Sequence, residues 1–146
     1  MTFTNQLAAI ESMADAGDIP GAIAQLEALK PGLPPSDASA LHVLLGALTA
    51  RAGRLEESLE FLELAEALAT ATNRQDLRLE AAVTRASVLA ALGRYDDAIP
   101  LISGSIRQLR DVPALSWLLS DAEAELRSYR NLVSPKTLAT WASLLQ

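Results

Sequence analysis

The sequence has no cysteine, a single histidine, and aromatic residues at only 4% of its 146 positions. Without cysteine there is no disulfide framework, no Cys-ligated zinc and no thiol nucleophile, and the chain fits a reducing compartment. With one histidine, any serine nucleophile has to use His42 as its base, and no Gly-x-Ser-x-Gly elbow is present. Gly-Lys-Ser/Thr phosphate loops are missing too. Basic charge is scarce, with 12 Lys and Arg against 18 Asp and Glu for a net charge of −6. That disfavours a nucleic-acid binder, which is normally basic and stacks bases on exposed aromatics. Charges break every apolar stretch well short of the ~18 residues that mark a membrane span. Met1-Thr2-Phe3-Thr4-Asn5-Gln6 lacks the basic start of a signal peptide. The expectation is a cytoplasmic protein with no membrane partner, no nucleic-acid partner, no cofactor and no metal site, and not an enzyme.

What is abundant is helix-forming material. Half of the residues are hydrophobic, and Ala, Leu, Glu and Arg dominate. Ten arginines against Lys30 and Lys136, with heavy Ala and Leu usage, fit the coding bias of a GC-rich bacterial genome. Apolar residues recur at three- and four-residue steps, as in Leu41, Leu44, Leu45, Leu48 and Leu55, Leu59, Leu62, Ala65. That is helical period, so the chain is expected to be all-α. Three segments align without gaps: Gly17-Asp18-Ile19-Pro20-Gly21-Ala22-Ile23, Gly53-Arg54-Leu55-Glu56-Glu57-Ser58-Leu59 and Gly93-Arg94-Tyr95-Asp96-Asp97-Ala98-Ile99. From 17 to 53 is 36 residues, and from 53 to 93 is 40. Each segment reads as a tight helix–turn–helix. Gly supplies the positive φ that ends one helix, and the small residue five places on lets two helices approach.

This pattern resembles the tetratricopeptide repeat family, whose signature is Trp-x2-Leu-Gly-x2-Tyr, then Ala-x3-Phe, then Pro. The second unit carries Leu45-Gly46, Ser58, Leu62 and Ala65 at matching positions. The third carries Ala86, Tyr95, Ala98 and Ile102, and the first carries Ala22, Leu26 and Pro34. Departures are Gln6, His42 and Ala82 at the Trp position and Met13, Thr49 and Leu89 at the Tyr position. The resemblance covers roughly residues 4–110. It implies a right-handed α-solenoid of antiparallel helix pairs in a single domain spanning 1–146. Repeat 1 is at about 4–34, repeat 2 at about 37–73, repeat 3 at about 76–110, and a further helix and a capping helix lie within about 113–146. About eight helices are expected, at 4–16, 20–30, 37–52, 55–72, 76–92, 96–110, 113–131 and 135–145. Asp37 is read as an N-cap, as is Ser134 before Pro135. Pro100 is read as tolerated near the start of its helix. The last helix places Leu138, Trp141, Ala142 and Leu145 on one face. A cap over the end of the stack is preferred for it over a docking segment.

The resemblance also implies a groove lined by the first helix of each unit, which holds a peptide or helix of a partner protein. Its positions are Leu7, Glu11 and Ala14, then Val43, Ala47, Ala50 and Arg51, then Val83, Ser87 and Ala90. The Lys/Asn/Arg clamp that grips chaperone tails in one branch of the family is missing. Elsewhere the packing readings are favoured: His42 in a helix interface, Trp117 and Trp141 in the tail, and Glu56, Glu57, Glu60, Glu63 and Glu66 as a solvated stripe rather than a docking site for a basic peptide. Arg85 stands at the frame position of Leu45. Its stem packs with the head reaching solvent, or it pairs with Glu57, Asp97 or Asp121. The expected function is a protein-interaction scaffold, with self-assembly into a homodimer as the alternative.

Overall fold

The chain is all-helical. The computed structural model describes residues 2–145 and contains no strand among them. The helices are α1 (Phe3–Asp15), α2 (Ile19–Leu29), α3 (Pro35–Arg51), α4 (Leu55–Ala71), α5 (Gln75–Ala91), α6 (Tyr95–Leu109), α7 (Ser116–Tyr129) and α8 (Pro135–Thr140), with a 3-10 turn at Pro113–Leu115. The α3, α4 and α5 helices are each 17 residues long. Two such helices with two three-residue linkers account for the 40-residue step.

One helix-end geometry recurs four times. Gly17 (φ 107°), Gly53 (φ 83°) and Gly93 (φ 78°) close α1, α3 and α5, and Asn73 (φ 56°) closes α4. At each, the left-handed residue donates to the carbonyl three back, and the next residue to the carbonyl five back. Gly53 N–H bonds Ala50 O at 3.0 Å and Arg54 N–H bonds Thr49 O at 2.9 Å, and the same pairs occur at Gly17, Asn73 and Gly93. Helix ends leave carbonyls without partners, and this pair of hydrogen bonds satisfies two of them while reversing the chain. The residue that follows ties down the next helix. Asp18 caps Gly21 N–H at 3.0 Å, Arg54 reaches Glu57, Arg74 reaches Asp76 and Arg94 reaches Asp97.

The chain divides into two units, Met1–Ala81 and Ala82–Gln146. In the first, Ile10, Ala14, Ala22, Leu26, Leu41 and Leu45 form a buried cluster from α1, α2 and α3. The contact of α3 with α4 runs through small residues. Ser58 Oγ–H donates to Gly46 O at 2.6 Å, and Ser39 Oγ–H donates to Ala65 O at 2.9 Å. A Cβ on Gly46 would run into Leu62. In the second unit α6 packs on α7, and the buried Tyr129 sets its ring edge-on to Tyr95 at 5.4 Å. The Tyr129 hydroxyl donates to Ala86 O at 3.3 Å. The aligned small residues Ala22, Ser58 and Ala98 are all fully buried, as the repeat pattern requires.

Four expectations are corrected. The α3 helix begins at Pro35, with Pro34 as its cap, so Asp37 lies in the first turn rather than capping it. Prolines preset the entry dihedrals, and the carboxylate instead faces the positive helix end. The helix expected from 113 opens as a 3-10 turn, and the α-helix starts at Ser116. The last helix stops at Thr140, where Trp141 leaves helical geometry, and a separate turn returns Leu145 to the interior. Leu138 and Ala142 are exposed, so the four apolar residues do not share one buried face. Trp117 is 52% exposed rather than packed. Ser134 does cap α8, accepting from Thr137 N–H at 3.2 Å, and α6 runs unbroken through Pro100.

Candidate functional site

In the first unit, the face of α1 and α3 carries the accessible part of the expected groove. Ala14 is fully buried and Val43 is 6% exposed. Ala14 belongs to the α1–α2–α3 cluster, and Val43 packs with Ala65 and Ala81. Ala14 thus has no accessible surface and Val43 very little. Leu7 is half-buried against the same cluster. Ala47 and Ala50 are half-buried, while Glu11 and Arg51 are exposed. In the second unit Val83 and Ala90 are buried and Ser87 is half-buried.

Arg51 is held at the end of α1. Its Nη1 lies 3.2 Å from Asp15 Oδ1 and its Nη2 donates to Ala14 O at 3.5 Å. A guanidinium beside last-turn carbonyls complements the negative end of the helix. The pair is exposed, so it contributes about 0–1 kcal/mol and fixes orientation more than stability. Ala47, about one turn earlier on α3, and Ala50, immediately before Arg51, keep part of their small apolar surface accessible.

One acid that feels the charge of Glu11 was not anticipated. Glu80 of α5 is half-buried. Burial, and then the charges of Glu11 and Asp76, push its carboxyl above the ordinary range. Asp76 itself is held low by its hydrogen bond to Arg74. Glu80 precedes Val83 by three residues and Ser87 by seven, which is the helical spacing of the expected groove positions. That spacing was the available signal; the electrostatic coupling to Glu11 was not visible without the fold. Glu11 and Glu80 are close enough for their like charges to act on one another.

His42, the single histidine, is a packing residue. His42 is 8% exposed, its Nδ1 is 2.6 Å from Ala38 O, and its ring centroid is 6.0 Å from that of Phe61. That hydrogen bond assigns the proton to Nδ1. Lys30 Nζ sits 4.8 Å from the centroid of the same Phe61 ring. Glu56, Glu60 and Glu63 are exposed, while Glu57 is engaged by Arg54. Arg85 is half-buried and engaged in a polar or electrostatic interaction. Two partners considered for it are themselves paired, Glu57 with Arg54 and Asp97 with Arg94. Among the described residues no three His, Asp or Glu gather into a group able to hold a metal ion, and no helix is long and apolar enough to cross a membrane. No family model matches the chain, and no curated protein or solved structure matches it significantly.

Proposed function

We propose that the chain is a helical-repeat binding module of the tetratricopeptide type, a right-handed solenoid that receives a peptide or helix of a partner protein on the first helix of each unit. The observation that carries this reading is the fourfold recurrence of one helix-end geometry at Gly17, Gly53, Asn73 and Gly93, with a buried small residue repeated at Ala22, Ser58 and Ala98. A recurring joint with a recurring close-packed contact is how helix pairs stack into a solenoid. On the α1–α3 face, Ala47 and Ala50 leave room for a partner backbone, and apolar contact supplies attraction without direction. Glu11 and Glu80 then favour a segment carrying a basic residue. The exposed Trp117 and Leu132 support a second reading, in which apolar surface of this kind joins two copies.

The test is selection of peptides from a display library on the immobilised protein, with Ala47→Glu/Arg51→Glu as counter-target and circular dichroism as the check on folding. Enriched peptides that contain basic residues and lose binding to the folded variant support the binding module. Peptides that bind both proteins equally, or no enrichment, remove it. In that case, a solution mass that doubles with concentration establishes self-assembly instead.

A further inference from the structure

The second unit contains a cleft of 570 Å³ between α6, α7 and the tail. That volume lies in the range of small-molecule sites, about 300–1,000 Å³. Ile106, Leu126, Trp141 and Leu144 supply apolar wall, and Arg107, Arg110 and Arg127 supply charge against a single acid, Glu123. In a chain of net charge −6 this is a local reversal of sign. Arg110 makes only a long contact to Glu123, at 3.9 Å. Arg107 and Arg127 have no ion pair among the described residues.

A second observation points the same way. Ser103 lines the cleft and is 8% exposed, and its Oγ is buried with no hydrogen-bond partner among the described residues. Other buried helical hydroxyls in this chain find a carbonyl, across a helix contact as Ser58 and Ser39 do or on their own helix. Ser105 Oγ–H donates to Leu101 O at 2.9 Å and Thr49 Oγ1–H donates to Leu45 O at 2.8 Å. A buried hydroxyl left unpaired is costly, and a ligand oxygen removes the cost. The cleft wall is also held in place: Trp141 Nε1–H donates to Asp96 Oδ1 at 2.9 Å, which anchors the tail to the first turn of α6.

We propose that this cleft binds a small apolar carboxylate. The carboxylate lies between the Arg107 and Arg127 guanidinium groups, which suit it by charge and by their forked donors. The Ser103 hydroxyl is the neutral donor, and the hydrocarbon lies on Trp141 and Leu144. The cleft shares no residue with the proposed partner face on α1 and α3.

Decanoate is the probe, used below its micellar concentration with the full-length chain. Trp117→Phe leaves Trp141 as the sole indole, so its emission reads occupancy of the cleft, and calorimetry gives the stoichiometry. The expected result is saturable binding of one decanoate per chain. Decanol binds about tenfold or more weaker, and Arg107→Ala/Arg127→Ala weakens decanoate by a similar factor without unfolding the chain. Ser103→Ala weakens it several-fold. Three results overturn the proposal: no saturable binding, equal binding of decanol and decanoate, or decanoate affinity indifferent to all three substitutions. A peptide with an apolar C-terminal residue that displaces decanoate and binds more tightly also overturns it, in favour of a protein-tail site.

Discussion

At the scale of single residues, the positions that matter most are those where backbone or burial leaves no alternative. Gly53 has φ 83° and a Cβ added there would meet nothing within 4 Å, so the cost of a side chain is purely conformational. Gly53→Ala should lower stability by about 1–2 kcal/mol in urea unfolding. At Asn73, with φ 56°, Asn73→Ala should cost about 1 kcal/mol while Asn73→Gly stays within about 0.5. Two acids, the buried Tyr129 and the half-buried Glu80, lower stability in the same direction, as pH rises, but in different pH ranges. Burial, then the nearby charge of Glu125, pushes the Tyr129 phenol above its ordinary range. The folded chain therefore holds a proton that the unfolded chain releases above about pH 10. Stability is full below that pH and falls as pH rises, by up to about 1.4 kcal/mol per unit from this group. Tyr129→Phe should remove that alkaline slope while costing about 0.5–1.5 kcal/mol at neutral pH through the lost hydrogen bond to Ala86 O. Urea midpoints between pH 9 and 11 check both. Glu80 is also raised, so its contribution is full below the carboxylate range and is lost as pH rises through its folded value. Glu80→Gln should raise stability at pH 7, and the gain should vanish near pH 4.

At the scale of elements, the decisive contact is α3 against α4. Gly46 sits where a Cβ would collide with Leu62, and Ser58 reaches the Gly46 carbonyl. Gly46→Ala should cost about 1–3 kcal/mol by overpacking, although Ala is the better helix former by about 1 kcal/mol. Leu62 is fully buried, and Leu62→Ala should cost about 2–5 kcal/mol. In the Leu62→Ala background the Gly46→Ala penalty should disappear, a coupling that a double-mutant cycle measures directly. The small residues were legible as a repeated position in the sequence, and so were most helix limits. The α4–α5 joint was not recognised as a copy of the others, because Asn73 replaces the glycine. Its place, midway between Gly53 and Gly93, was the missed signal. The tail was less legible because six residues of α8 are too few for a helical face to organise packing. Trp141 and Leu145 find their places through a turn instead.

At the scale of the whole molecule, the proposed binding of a basic segment is expected to be sensitive to salt, given the net charge of −6 and the like charges of Glu11 and Glu80. Raising sodium chloride from 50 to 500 mM should weaken a selected basic peptide severalfold, because exposed charges are screened within a Debye length of about 10 Å at 0.1 M. Self-association through Trp117 and Leu132 would respond in the other direction, since apolar contact does not weaken with added salt. Sedimentation at both salt concentrations separates the two.

Helix content, helix order and the three glycine joints were determined by the sequence alone. They follow from local rules, in which apolar period, chain-reversing glycines and proline starts act within a few residues of themselves. Only the tertiary structure decided which face positions are open. Ala14 and Ala47 are the same residue type at neighbouring positions of one expected groove, yet the first is sealed by α2 and α3 while the second keeps accessible surface. The coupling of Glu80 to Glu11 and the unpaired Ser103 hydroxyl beside three arginines were equally invisible in the sequence. Burial and electrostatic coupling depend on segments tens of residues apart, and no local pattern encodes that distance.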